Sequence, residues 1–251
     1  MRNILSPSGR EVLEEYAWSN VLLGFDFDGT LAPIVDDPFR AKLPRSTSRL
    51  VRRLVRRYPC VVVSGRSRAD VTRRLRGTGV GVILGNHGLE PSLAPASTAE
   101  VVRGWRQVLD RHFIGMKGVT IEDKGFSLAV HYRRSRAQKV ARAAIVEAAK
   151  TLAGVRILGG KQVVNLVPKD AGHKGIALLN ERDRAGCDTA LFVGDDDTDE
   201  DVFALAQPGR LLSIRVGRKR GSQAAYYLPA QGDIDELMKV LIEARNGSAR
   251  P

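Results

Sequence analysis

The 251-residue sequence predicts an α/β fold, a parallel-sheet core interrupted by a small inserted α+β domain. Three observations lead there. Short apolar runs alternate with helical patterns over much of the chain. Several of those runs stop at a cluster of polar residues. In the middle the order changes to helix, hairpin, helix, hairpin. Hydrophobic residues make up 43% and charged residues 27%, which is enough apolar surface for a sizeable core and excludes a wholly disordered chain.

The core strands come first. Val21–Phe25 is apolar and stops at Asp26, and Cys60–Val63 is largely β-branched and stops at Ser64. Val80–Leu84 stops before Gly85-Asn86-His87-Gly88, and Ala190–Val193 stops at Gly194-Asp195. Runs without alternation suit strands buried on both faces of a parallel sheet. Each polar cluster then falls at a strand's carboxyl end, the edge where open α/β sheets bind ligands. In the middle, Ala99–Phe113 and Ser135–Leu152 read as helices. Val119–Glu122 and Ser127–Tyr132 read as a hairpin around Asp123-Lys124-Gly125, and Val155–Leu158 and Gln162–Val167 as a second around Gly159-Gly160. The insertion is expected over 93–168, with Pro91, Pro95 and Pro168 near the crossings, leaving 1–92 and 169–251 as the core.

The net charge of +12 is local. Between Arg40 and Arg76 stand thirteen basic residues and one acid, Asp70, so the remainder is balanced. A polyanion-binding patch and a solvated helix face both fit such a run. Leu50, Val51, Leu54 and Val55 recur at helical spacing, with Arg49, Arg52, Arg53, Arg56 and Arg57 largely around the other side. Aromatic residues are not interleaved with these arginines, so bases have no stacking platform. The solvated face is the reading taken, and nucleic acid is not an expected partner. No apolar run approaches the roughly 18 residues of a membrane span. Two cysteines, Cys60 and Cys187, rule out a disulfide framework or a structural zinc site, and a reducing cytoplasm is expected.

Four clusters carry chemistry. Asp26-Phe27-Asp28-Gly29-Thr30 places two carboxylates just past a buried strand, where one can act as nucleophile and the other as proton donor and acceptor. Ser64-Gly65-Arg66 offers a hydroxyl and backbone N–H groups to a phosphate, although a helix N-cap is the competing role. Lys174 opens a helix and can neutralise phosphate, although lysines there are commonly surface residues. Asp195 to Asp201 holds six acids in seven positions; a hard divalent cation relieves their repulsion, and the helix dipole accounts for members such as Glu200 and Asp201.

Together these clusters resemble the haloacid dehalogenase-type phosphatase superfamily. Asp26 to Pro33, Ser64-Gly65-Arg66, Gly85-Asn86-His87-Gly88-Leu89-Glu90 and Gly194 to Phe203 are similar to the trehalose-6-phosphate phosphatases, as are Glu122-Asp123-Lys124, Ser127 and His131-Tyr132-Arg133. The resemblance implies a Rossmann-like core, an inserted α+β cap domain and Mg²⁺. It implies hydrolysis of trehalose 6-phosphate to trehalose and phosphate through an aspartyl-phosphate on Asp26, with Asp28 as acid and base. Ser64 and Lys174 are then phosphate ligands, and Asp26, the Asp28 carbonyl and Asp195 hold the metal, with Asp199 and Asp196 supporting its water shell. Asn86, His87 and Glu90 would meet the sugar beneath the cap, and Glu122, Lys124, Lys161 and Asn165 would meet it from the cap. A buried core role is the alternative for His87, and His131 reads as structural. Functional pairing with a trehalose-6-phosphate synthase is a further implication. One departure stands out: Asn165 and Val167 occupy the last cap strand where the family commonly has Glu and Arg. That departure leaves room for another phosphorylated sugar or glycoside.

Overall fold

The computed structural model describes residues 1–91, 96–160, 162–170, 172–205 and 207–246 and groups the chain as two units, Met1–Gly88 with His173 onward, and Leu89–Gly172. Leu89–Pro91, Lys169, Asp170 and Gly172 thus group with the second unit, whereas the proline positions had suggested seams nearer Leu93 and Pro168. The first unit opens with β1 (Arg2–Asn3), α1 (Pro7–Trp18), β2 (Val21–Phe25), α2 (Arg45–Leu54), β3 (Cys60–Val63), α3 (Arg68–Arg74) and β4 (Val82–Leu84). The second contains α4 (Ala96–Phe113), β5 (Thr120–Asp123), β6 (Leu128–His131), α5 (Gln138–Lys150), β7 (Val155–Gly160) and β8 (Val163–Pro168). The first then resumes with α6 (Lys174–Arg184), β9 (Thr189–Gly194), α7 (Glu200–Phe203), β10 (Leu211–Val216), β11 (Tyr226–Leu228) and α8 (Ile234–Asn246). Among the described residues, no helix is long and apolar enough to cross a membrane.

The first unit is built on a seven-stranded parallel sheet in the order β1-β11-β10-β9-β2-β3-β4. Its central strands are apolar throughout because helices cover both faces. Leu23, Phe25, Val62, Leu191 and Val193 join one core with residues of α1, α2 and α8. Leu22, Val61, Val63, Ala190 and Phe192 join the other with Leu178 of α6 and Val202 and Phe203 of α7. Full burial of each Val, Leu or Phe side chain among them contributes about 1.5–3 kcal/mol, so the sheet centre supplies much of the unit's hydrophobic stabilisation. Helix α2 is amphipathic as its spacing requires: Leu50, Val51 and Leu54 are buried, while Arg49, Arg52 and Arg53 are exposed. β10 and β11 do not figure among the strands expected from the sequence; Ser213 and Arg215 interrupt the apolar run of β10.

The second unit is a four-stranded antiparallel sheet, β5-β6-β8-β7, with α4 and α5 on one face. Leu128, Val130, Val164 and Leu166 form that core with Val102, Trp105, Leu109 and Ile145. The first hairpin turns as expected, with Gly125 at φ +83° and its N–H donating to Asp123 Oδ1 at 2.7 Å. The second does not turn at Gly159-Gly160. Those glycines pair with Val164 and Val163 and lengthen β7, and Gln162 takes the left-handed conformation, φ 60°, beyond them.

Candidate active site

Strand ends and helix starts of the first unit bring four distant segments together. Asp26 continues β2 by one residue, its N–H donating to the Val193 carbonyl of β9 at 2.9 Å. Asp195 continues β9. The chain after Asp26 turns at once: Ala32 N–H donates to the Phe27 carbonyl at 2.8 Å, and Gly29 N–H to the Ala32 carbonyl at 2.7 Å. Gly29 has φ +81°, and a Cβ there would lie 2.1 Å from Asp195 Oδ2. Glycine is therefore required twice, by the left-handed backbone and by the carboxylate packed on it.

Lys174, the first residue of α6, is 2% exposed. Its ammonium donates to Asp26 Oδ1 at 2.8 Å and to Asp199 Oδ1 at 2.7 Å. Asp199 is fully buried, and its other oxygen, Oδ2, accepts the backbone N–H groups of Asp195 and Asp196 at 2.8 and 2.9 Å. A Cβ on Gly194 would lie 2.4 Å from Asp199 Cγ, so this brace also needs a glycine. Carboxylate oxygens of Asp26, Asp195 and Asp199 all lie within 4.8 Å of one another. Burial pushes Asp26 well above the usual carboxylate range; Lys174 pulls the other way, and Asp199 and Asp195 push upward. Burial works against the charge of Lys174, yet Asp199 and Asp26 outweigh it and hold the lysine pKa above its usual value. Three buried carboxylates face one ammonium, so the pocket is short of positive charge. An all-oxygen, anionic donor set of this kind fits a hard divalent cation such as Mg²⁺.

Asp28 lies beside this cluster, with its side chain 36% exposed. Arg66 grips both its oxygens, through Nε at 2.5 Å and Nη2 at 2.7 Å, and donates Nη1 to Asp70 at 2.9 Å. Arg66 belongs to a motif visible in the sequence, but its hold on Asp28 was not foreseen there; a cation two residues after a strand-end serine was the available signal. Ser64, 1% exposed, directly follows β3, and its Oγ accepts the Arg66 N–H at 3.2 Å. The N-cap of α3 is Ser67, which accepts the Asp70 N–H at 3.3 Å, so capping does not account for Ser64.

Beyond β4, Asn86 and His87 are buried and both adopt positive φ, 50° and 60°. Asn86 N–H donates to the Arg66 carbonyl at 2.7 Å and His87 N–H to the Ser64 carbonyl at 2.9 Å. A Cβ on Gly65 would meet His87 Cε1 at 2.6 Å, so Ser64-Gly65-Arg66 and Asn86-His87 pack as one piece. Left-handed backbone at two successive non-glycine residues costs on the order of 1–3 kcal/mol each and clusters at functional sites.

Of the remaining expected site residues, Glu90 groups with the second unit and is partly buried. There Glu122 of β5 is opposite Ala129 of β6, and Ala129 is opposite Asn165 of β8, so Glu122 and Asn165 share a sheet face. That register also puts His131 on this face, and its Nε2 lies 2.8 Å from Glu122 Oε2. Asn165 and Val167 are buried. Lys124 sits in the β5–β6 turn, its N–H donating to the Ser127 carbonyl at 3.0 Å. Lys161 lies outside the described residues.

A parallel sheet of this order, with Asp26, Asp195, Asp199 and Lys174 gathered at the carboxyl edge of β2 and β9, is the fold of haloacid dehalogenase-like hydrolases. The fold agrees with that of a haloacid dehalogenase-like hydrolase from Bacteroides thetaiotaomicron (TM-score 0.60, 15% identity, covering 87% of this chain and 97% of that one). It is also that of the Candida albicans trehalose-6-phosphate phosphatase C-terminal domain, with TM-score 0.79 and 21% identity over 97% of this chain and 99% of that one. The trehalose-phosphatase family model matches residues 24–230. The trehalose-phosphate phosphatase of Mycolicibacterium paratuberculosis is 34% identical over 207 residues, 76% of this chain and 53% of that protein. The chain belongs to the trehalose-phosphatase family, and it spans about half the length of the curated relatives it matches.

Proposed function

We propose that this protein is a Mg²⁺-dependent phosphatase that hydrolyses trehalose 6-phosphate to trehalose and phosphate. The observation that carries the reading is the joining of Asp26, Lys174, Asp195 and Asp199, from three separate segments, at one buried sheet edge within a chain of this family.

Asp26 attacks phosphorus through a carboxylate oxygen, and the bond from phosphorus to the sugar oxygen breaks with its electron pair leaving on the sugar. Asp28 gives that oxygen its proton. Asp28 then takes a proton from water as the water attacks phosphorus, and the bond to Asp26 breaks to restore its carboxylate. Lys174 works against the effect of burial on Asp26 and favours its charged form, and it meets the charge of the phosphoryl oxygens, joined by the Ser64 hydroxyl. Asp26, the Asp28 carbonyl and Asp195 would hold Mg²⁺, with Asp199 behind them; the cation supplies charge neutralisation at the phosphoryl group.

The second unit corresponds to the cap of this reading, and the residues proposed to recognise the sugar are Glu122 and Asn165 on its polar sheet face, Lys124, Lys161 and Glu90, and, from the first unit, Asn86 and His87. Fixed charges at the sheet edge cannot tell one monoester from another, so discrimination falls to these groups. Asn165 is uncharged and Val167 apolar, which favours a second reading, a phosphatase for a related phosphorylated sugar or glycoside. The reaction consumes the product of a trehalose-6-phosphate synthase, and the cytoplasm is the proposed location. Phosphate release from trehalose 6-phosphate, sucrose 6-phosphate and glucose 6-phosphate, with Mg²⁺ and with EDTA, tests both readings. Preference for trehalose 6-phosphate that is lost in EDTA supports the first; preference for another sugar supports the second.

A further inference from the structure

We infer that Arg215 is a positioning residue that fixes the acidic loop after β9 for cation binding, an inference that rests on the divalent-metal reading above. Arg215 stands in β10, opposite Gly194, the last residue of β9. Strand alternation sends Leu212, Ile214 and Val216 to the core shared with α1, α2 and α8. Arg215 therefore points to the opposite face, where α6 and α7 lie. It is 6% exposed, and a buried guanidinium is tolerated only when its donors are answered.

The donors are answered by the acidic loop. Nη2 donates to the Asp195 carbonyl, and Nη1 donates to the Asp196 carbonyl at 3.2 Å and to Glu200 Oε1 at 2.7 Å. Glu200 Oε2 accepts the Gln223 N–H at 2.9 Å, which anchors the carboxylate from its other side. From the far side of the same loop, Asp199 Oδ2 takes the N–H groups of Asp195 and Asp196. Each of these two residues thus has its N–H held by Asp199 and its carbonyl held by Arg215. With both peptide groups tied, the backbone torsions at Asp195 have little freedom, and the direction of its carboxylate follows from them. Glu200 is accordingly more than an acid at a helix start; it orients the fork that holds the metal-binding loop.

This role needs the geometry of the fork and not only its charge. A lysine keeps the positive charge but cannot present a rigid, planar set of donors to two carbonyls and a carboxylate at once. A simple counter-ion role therefore predicts that Arg215→Lys behaves as wild type, whereas a positioning role predicts that it does not.

The test is Mn²⁺ binding to the chelator-treated 251-residue chain, followed by the electron paramagnetic resonance signal of free Mn²⁺. Circular dichroism establishes that each variant is folded. Arg215→Lys should raise the Mn²⁺ dissociation constant about tenfold or more, in the range seen when groups that orient metal ligands are lost. Glu200→Gln should raise it less, by about threefold. Arg182→Lys is the control, because Arg182 is equally buried but pairs with Asp183 and Gln207, away from the loop. It should leave Mn²⁺ affinity unchanged even if it lowers the melting temperature. Wild-type affinity in folded Arg215→Lys overturns the inference, as does an equal loss in Arg182→Lys. If Arg215→Lys does not fold, unchanged affinity in Glu200→Gln overturns it. Absence of Mn²⁺ binding by the wild type overturns the metal reading first, and this inference with it.

Discussion

The carboxyl edge of the seven-stranded sheet and the polar face of the four-stranded sheet are both rich in hydrogen-bonding groups, but they are held differently. At the first, Asp26, Lys174 and Asp199 are at most 4% exposed and lock one another, with backbone N–H groups completing the set. At the second, Glu122 and His131 form one pair with side chains 41% and 30% exposed, beside an uncharged Asn165. Buried, mutually fixed charges can stabilise a developing charge without reorganising, as a chemical step requires. Partly solvated groups on a sheet face can be exchanged at modest cost to stability, which is the property the proposed sugar-recognition role calls for. The difference teaches where to look for chemistry and where for selectivity in this chain.

Breaking the first region should have the largest effects. Asp26→Asn keeps the size of the side chain and removes the attacking charge; turnover of any phosphate monoester should fall by at least about 10⁴-fold, measured as phosphate release. Asp195→Ala should remove most Mg²⁺ affinity, and wild-type activity lost in EDTA should return on adding Mg²⁺, while Ca²⁺ should inhibit because its looser oxygen shell misplaces nucleophile and phosphate. Gly29→Ala introduces a Cβ into the space of the Asp195 carboxylate at a left-handed position, and the displaced loop should cost about 10²-fold in kcat. The second region should respond more mildly. Glu122→Ala or Lys124→Ala should lower kcat/KM for trehalose 6-phosphate by about tenfold, since a hydrogen bond to a charged group is worth ~1.5–3 kcal/mol. Asp201→Ala, at the far end of the acidic run, should change kcat by less than about twofold.

Much of the first region was legible in the sequence because of how a parallel sheet is buried. Strands covered on both faces must be apolar throughout, so Val21–Phe25 and Cys60–Val63 stand out, and the first polar residue after each marks the edge of the sheet. The pairing of Asp26 with Lys174 was not legible, because 148 residues separate them and only the strand order brings them together. β10 escaped because Arg215 is buried against carbonyls of a neighbouring loop, whereas a cation in a short run reads as the end of a strand. Arg66 was legible as a residue but not as the partner of Asp28. In the second unit the strand order helix, hairpin, helix, hairpin was visible, but two glycines in succession suggested a turn where the ladder in fact continues. The Glu122–His131 pair depends on register across a hairpin, which residue types alone do not fix.

The central claim is that chemistry belongs to the sheet edge and selectivity to the polar face of the second unit. The most direct measurement is the ratio of kcat/KM for trehalose 6-phosphate to that for p-nitrophenyl phosphate, taken side by side in wild type, Ser64→Ala and Glu122→Ala. Ser64→Ala should lower both values and leave the ratio near that of the wild type, because the phosphate is common to both substrates. Glu122→Ala should lower the ratio about tenfold, because only the sugar ester can lose that contact. Equal losses on both substrates in Glu122→Ala, or a changed ratio in Ser64→Ala, would contradict the division.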